Sequence, residues 1–238
     1  MISYEEKRAI VDTFREALPS EPPADGILCV DKPTGPTSFD IVAAVKRKYS
    51  LKVGHTGTLD PLASGLLILL LGKATKRAKE FEGLDKTYEV EGVFGEERDS
   101  FDAEGRIIAT APVERIKSLK RSEIETALLK FLGKQEQRVP VFSAVRVDGK
   151  RLYESAHAGK EVATADLPVR TIEITAIDLL DFITANKATG GLPRFRLRIH
   201  CSKGTYVRSI VHDLGLALGG CAFVSVLRRL AIGTYTLD

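Results

Sequence analysis

The chain has no tryptophan, one methionine, three cysteines and four histidines, and these shortages exclude several classes of protein. Cys29, Cys201 and Cys221 are odd in number and lack paired metal-ligand spacing. They read as buried free thiols in a reducing compartment. His55, His157, His200 and His212 show no ligand spacing with carboxylates or thiols, so no metal is expected. No apolar run approaches the roughly 20 residues that cross a bilayer. The opening segment carries Glu5, Glu6, Lys7 and Arg8 where a secretory leader needs an apolar core. A cytoplasmic protein without membrane contact is expected. Charge of neither sign dominates. A formal net charge of +3 over 238 residues permits a nucleic-acid partner without demanding one, so any RNA footprint is a local patch. Gly72-Lys73-Ala74-Thr75 is no P-loop, because six residues separate Gly65 from Gly72 and neither Ser nor Thr follows Lys73.

What is present reads as a sheet-rich α+β chain. Residues 3–18 place Ile10, Val11, Phe14 and Leu18 at helical spacing behind a Ser3 cap. Pro19, Pro22 and Pro23 then form a stiff connector, making 1–24 an extension ahead of a catalytic domain over 25–238. Ile27–Val30 is a short strand. After the loop Asp31-Lys32-Pro33-Thr34-Gly35-Pro36-Thr37-Ser38, Ser38 is expected to cap a helix with Ile41, Val42, Val45 and Tyr49 on one face. Thr75 is expected to cap a basic helix running to about Gly83, and Lys86–Phe94 alternates as a strand. Arg121 to Gly133 reads as a helix capped by Ser122. Val169–Leu180 and Phe195–His200 are strand-like. Ser202, Gly204 and Thr205 form a turn and cap before a helix ending near Gly219-Gly220.

The densest signal is Gly54-His55-Thr56-Gly57-Thr58-Leu59-Asp60-Pro61, followed by Leu62-Ala63-Ser64-Gly65 and the apolar run Leu66–Leu71. Gly54 and Gly57 let the backbone approach a ligand closely. Pro61 pushes Asp60 towards extended geometry. Leu66–Leu71 reads as a strand buried on both faces. Asp-Pro is frequent in turns and at the start of short helices, and a carboxylate on a shaped loop against such a strand is also a common way to hold a reactive group rigidly; spacing alone leaves both readings. Lys32 lies in a Pro/Gly loop where no helix dipole accounts for a cation. Between 134 and 160 the chain turns basic and irregular, with Lys134, Arg138, Arg146, Lys150, Arg151 and Lys160 around Pro140, Gly149 and Tyr153. Such a run is either a solvated face or a loop whose cations meet RNA phosphates and whose aromatics meet bases.

GHTGTLDP with LASG behind it resembles the central motif of the TruB family of tRNA pseudouridine synthases, in which the aspartate is catalytic. DKPTGPTS resembles that family's opening motif, Lys86-Thr87-Tyr88 its second, CSKGTYVRS a later one, and Val224–Arg229 its last core motif. The stretch from Gln137 to Ala156 resembles the family's RNA-clasping insertion, with Val139 and His157 departing from it. Where the family has Thr-Asp-Thr, this chain has Arg98-Asp99-Ser100 before Phe101-Asp102. The resemblance covers about residues 25–238 and includes no small C-terminal RNA-binding domain.

The resemblance implies a long, mostly antiparallel bent sheet with the site in a central cleft. It also implies isomerisation of the T-loop uridine of tRNA, position 55, without cofactor or metal. Asp60 would attack the sugar C1′ or withdraw a proton at C2′. Arg208 would pair with Asp60 as a guanidinium fork, and Tyr88 would stack on the flipped base. Leu227, Tyr206, Lys32 and Gly57 would line the substrate site, and His55 would stand in for the tertiary interactions that a flipped nucleotide gives up. A tRNA T stem-loop partner and a monomeric enzyme are the expectation. A guide-dependent ribosomal RNA synthase and a non-catalytic tRNA-folding chaperone are the alternatives.

Overall fold

The computed structural model describes residues 2–147, 149–153, 166–187 and 190–237. In chain order the elements are α1 (Tyr4–Ala17), β1 (Ile27–Lys32), α2 (Ser38–Tyr49), β2 (Val53–His55) and β3 (Ser64–Leu71). A 3-10 turn (Gly72–Arg77) leads to α3 (Ala78–Glu82) and β4 (Lys86–Phe94). Then come β5 (Glu96–Arg98), β6 (Ile107–Thr110), α4 (Val113–Ser118) and α5 (Arg121–Leu128). The chain continues through β7 (Gly133–Arg138), β8 (Arg146–Val147), β9 (Lys150–Arg151), β10 (Val169–Ile183) and β11 (Arg194–Cys201). It closes with α6 (Val207–Ala217), β12 (Ala222–Ile232) and β13 (Tyr235–Thr236). The fold is α+β with a large, mostly antiparallel sheet. The chain divides into two compact units, 1–89 with 226–238 and 90–225.

The first unit is built on β3. The strand is paired antiparallel to β1 over Ile27↔Leu70 to Lys32↔Gly65, and in parallel to β12 at Arg228↔Ser64 and Arg229↔Gly65. Leu67, Leu69 and Leu71 pack with Leu18, Leu28, Val30, Ile41, Val42 and Val45. Leu66, Ile68 and Leu70 pack on the other side with Ala74, Phe81 and Ile232. Burial on both faces is why the strand reads as an unbroken apolar run rather than an alternation. The N-terminal helix joins this core. Ser3 and Glu6 form a reciprocal capping box, Lys7 pairs with Asp40 at 2.7 Å, and Leu18 is buried against α2.

In the second unit β4, β11, β10 and β7 lie in that order. Phe195, Leu197, Ile199 and Cys201 of β11 are buried, while Arg196 and Arg198 between them are exposed, the period-2 pattern of a half-buried strand. Gly92 is required where the Phe195 ring crosses β4, because an added Cβ would sit 2.3 Å from it.

Three caps differ from the sequence reading. Thr37, not Ser38, caps α2: its hydroxyl accepts from the Asp40 N–H and the Asp40 carboxylate accepts from the Thr37 N–H at 2.8 Å. Thr75 caps nothing; it sits inside the 3-10 turn and donates to the Gly72 carbonyl at 2.8 Å. Ser122 lies within α5, which begins after Lys120 and ends at Leu128, ahead of a 3-10 turn over Leu129–Phe131. Competing hydroxyls and carboxylates one residue apart make such boundaries ambiguous from pattern alone. Leu69→Ala, which empties a fully buried position of the first unit, is expected to lower unfolding stability by about 2–5 kcal/mol in urea titration.

Candidate active site

Asp60 lies on the loop between β2 and β3, and almost every residue around it is fastened through its backbone. Ser38 Oγ donates to the Leu59 carbonyl at 3.0 Å and accepts from the Leu59 N–H at 2.9 Å. Lys32 is fully buried. Its ammonium donates to the carbonyls of Pro33 (2.9 Å), Pro61 (3.4 Å) and Ala63 (2.7 Å). Arg229, 1% exposed, donates from Nε to Leu66 O at 2.7 Å, from Nη1 to Thr58 O at 3.4 Å and from Nη2 to Gly57 O at 3.1 Å. The Asp60 carbonyl accepts from the Ala63 N–H at 3.1 Å, and the Pro61 carbonyl from Gly35 N–H at 2.8 Å.

The two buried cations share one neighbour. Gly65 of β3 is the register partner of Lys32 on β1 and of Arg229 on β12. Its φ is +102°, and an added Cβ would sit 2.2 Å from the Arg229 carbonyl oxygen, so only glycine lets Arg229 lie there. Buried charges are tolerated where hydrogen bonds satisfy them. Among the described residues Arg229 makes no ion pair with a carboxylate, and carbonyls alone compensate it. His55, on β2, is partly buried, and its Nδ1 has no hydrogen-bond partner among the described residues. Burial holds its imidazole below the ordinary pKa, and the Arg229 cation pushes the same way.

In the second unit Arg208 is the second residue of α6 and is 4% exposed. It donates from Nη1 to Ser100 O at 2.6 Å and from Nη2 to Phe142 O at 2.8 Å, and its Nε lies 3.7 Å from Asp102 Oδ2. The Asp102 carboxylate also accepts from Ser100 Oγ at 2.5 Å and from the Glu104 N–H at 3.1 Å. Arg98, standing where the resemblance leads one to expect threonine, donates to the carbonyls of Ala103 (3.2 Å) and Gly105 (3.1 Å) and to Glu96 at 2.8 Å. It thus frames the same turn. Gln137 grips the start of α6, its Oε1 accepting from Tyr206 N–H at 2.7 Å and its Nε2 donating to Tyr206 O at 3.0 Å.

The remaining expected residues fall as follows. Tyr88 is half-buried on β4 and Leu227 is buried on β12. Tyr206 caps α6 through its backbone and packs beside Val139, Leu152 and Leu167. The expected side-chain cap is absent: Thr205 Oγ1 donates back to Ser202 O at 2.9 Å. Lys32 is fully buried, and its bonds to the carbonyls of Pro33, Pro61 and Ala63 hold the loop. Gly57 contributes its carbonyl to Arg229. The basic stretch is more regular than expected. Lys134 and Arg138 lie exposed on β7, paired with β10 from Gly133↔Ile174 to Arg138↔Val169, and Arg146 opens the β8–β9 hairpin whose backbone includes Lys150 and Arg151. Tyr153 donates its N–H to Ser143 O at 3.1 Å. Ala156, His157 and Lys160 lie outside the described residues. Ser38, Arg229, Arg98 and Gln137 are the residues whose roles the sequence reading missed.

The family described as "TruB family pseudouridylate synthase (N terminal domain)" matches residues 44–207. The chain belongs to that family. A tRNA pseudouridine synthase B of Opitutus terrae is 44% identical over 214 residues, covering 90% of this chain and 83% of that relative. The TruB-family protein of the same name from Geobacillus thermodenitrificans is 45% identical, with 90% and 68% covered. Among solved structures, a Cbf5-Nop10-Gar1 complex matches with TM-score 0.63 at 28% identity, covering 96% of this chain and 52% of that one. An H/ACA RNP bound to a substrate RNA containing 2′-deoxyuridine matches with TM-score 0.62 at 27% identity, covering 90% and 49%.

Arg229→Met removes the cation and leaves two loop carbonyls, those of Gly57 and Thr58, and the Leu66 carbonyl of β3 without their donor. NMR titration is expected to show the His55 pKa rising towards the ordinary imidazole value, because one of the two causes that lower it is gone.

Proposed function

We propose that this chain isomerises a uridine of tRNA to pseudouridine, and that the uridine is position 55 of the T-loop. The reaction breaks the C1′–N1 bond and forms C1′–C5. The base is re-attached through carbon, N1 gains a proton, C5 loses one, and nothing is oxidised. The observation that carries the reading is the immobilised loop of Asp60, held through its backbone carbonyls at Gly57, Thr58, Leu59, Pro61 and Ala63 by Arg229, Ser38 and Lys32. Rigid placement of a reacting group is worth several kcal/mol of barrier. The family match and the curated relatives named for this activity support the same reading.

In this reading Asp60 acts on the sugar, at C1′ as nucleophile or at C2′ as base. Arg208 is its guanidinium partner, Tyr88 stacks on the flipped base, Leu227 closes the other side, and His55 stands in for interactions that the flipped nucleotide gives up. Lys134, Arg138, Arg146, Lys150 and Arg151 meet tRNA phosphates, and Tyr153 meets a base.

Incubating the purified chain with an unmodified tRNA transcript labelled at uridine C5, then following label release and mapping pseudouridine, tests the reading. Asp60→Asn is expected to bind the transcript within about twofold of wild type and to release no label. Near wild-type turnover by that variant would defeat the assignment. Arg208→Lys keeps a charge and loses the planar fork, and a fall of roughly 100-fold or more in single-turnover rate is expected. Neutralising Lys134, Arg138 and Arg146 together is expected to weaken tRNA binding and flatten its salt dependence. On double-helical sites the slope falls by about 0.9 for every phosphate no longer neutralised.

A further inference from the structure

His212 belongs to no motif used above. It sits on α6 four residues after Arg208, so the two side chains share one helix face. Its Nε2 lies 3.1 Å from Glu97 Oε1 on β5, and its Nδ1 lies 3.0 Å from Asp213 Oδ1 on α6. A neutral imidazole offers one N–H and one lone pair. With an ionised carboxylate at each nitrogen, only the doubly protonated ring satisfies both contacts. The ring also stacks on Phe101, with centroids 3.9 Å apart and planes 23° from parallel. Phe101 is a non-glycine residue at φ +62°, a conformation that surrounding contacts must hold in place. It lies between Ser100, whose carbonyl takes the short bond from Arg208, and Asp102, whose carboxylate faces the same guanidinium.

We propose that His212 is a positioning residue: as an imidazolium bridging Glu97 and Asp213, it clamps the strained turn at Phe101 and thereby fixes Ser100 and Asp102 around Arg208. The role in catalysis rests on the assignment of Arg208 above, whereas the clamp itself does not. Other charged groups on the elements packed here are engaged elsewhere. Arg98 is bonded to Glu96 and two carbonyls, and Asp99 accepts from Arg106. Cys221 is kept a neutral thiol by burial and by the Glu97 charge. Burial alone would lower the imidazole pKa, but the contacts to Asp213 and Glu97 outweigh it and the balance is upward. The clamp is therefore complete below the ordinary imidazole pKa and is lost as pH rises through the raised one.

NMR titration of the full chain would follow the His212 ring and the Arg208 Nε–H together. The ring is expected to titrate above the ordinary imidazole value of 6.5, and the Arg208 signal to move with it. In Glu97→Gln, which keeps Asp213, the His212 pKa falls. In His212→Gln the Arg208 signal becomes insensitive to pH in this range. On tRNA, the wild-type single-turnover rate shows an alkaline limb at the His212 pKa, while His212→Gln lacks the limb, turns over roughly tenfold more slowly and binds tRNA unchanged. A ring titrating at or below 6.5, or an Arg208 signal indifferent to it, overturns the clamp. Coupled NMR titrations with superimposable wild-type and variant pH–rate profiles overturn the catalytic role alone. Failure of wild type to release label from tRNA counts against the reaction assigned above, not against the clamp, which the NMR arm decides. Should His212→Gln not fold, Glu97→Gln carries both arms, with the limb expected at lower pH.

Discussion

Two buried cations either side of one glycine hold the loop that carries Asp60, and much of the first unit is arranged so that they can. Lys32 and Arg229 come from strands on opposite sides of β3 and meet it at Gly65. From there each reaches the loop around Asp60 and bonds to main-chain oxygens. Taking an ammonium and a guanidinium out of water is costly, and it is tolerated only because each finds several oxygens in place. That demand runs in both directions: the cations need the loop in one conformation, and the loop keeps that conformation because the cations need it. The two-faced burial of β3 anchors the arrangement, since both sets of its apolar side chains are packed.

The second unit treats its own guanidinium differently. Arg208 has a carboxylate, Asp102, beside it, and other donors of the same group go to the carbonyls of Ser100 and Phe142. The acceptors include a turn that is itself strained at Phe101 and tied by Asp102 to Ser100 and Glu104. Arg98 stabilises that turn from within, stacking on Phe223 at 4.3 Å while bonding to its carbonyls. Arginine at this position therefore frames the loop.

Legibility in the sequence followed how local each feature is. Asp60 could be singled out only through the resemblance of its contiguous string to the family's central motif, because an Asp before Pro on its own reads as a turn or a helix cap. Leu66–Leu71 and Lys86–Phe94 could be read as strands because burial leaves its period in the residue types. The cap of α2 lies one residue from the expected one because Thr37 and Ser38 could each serve, and the outcome depends on a distant partner. Ser38 fails to cap α2 while its hydroxyl is bound to Leu59, 21 positions away. β7 is illegible as a strand because Gly133–Arg138 carries no apolar alternation; its pairing with β10 at the end of the described strand order is what makes it one.

By itself the sequence determined the family, the candidate carboxylate and the elements whose faces are written in apolar periodicity. Tertiary structure alone decided that Lys32 and Arg229 hold the loop, that Gln137 grips the start of α6, and that Asp102 attends Arg208. The reason is physical. Most of these side chains bond to backbone oxygens and N–H groups, which nearly every residue carries and which leave no mark in the order of amino acids. Only folding brings such anonymous acceptors to a particular cation.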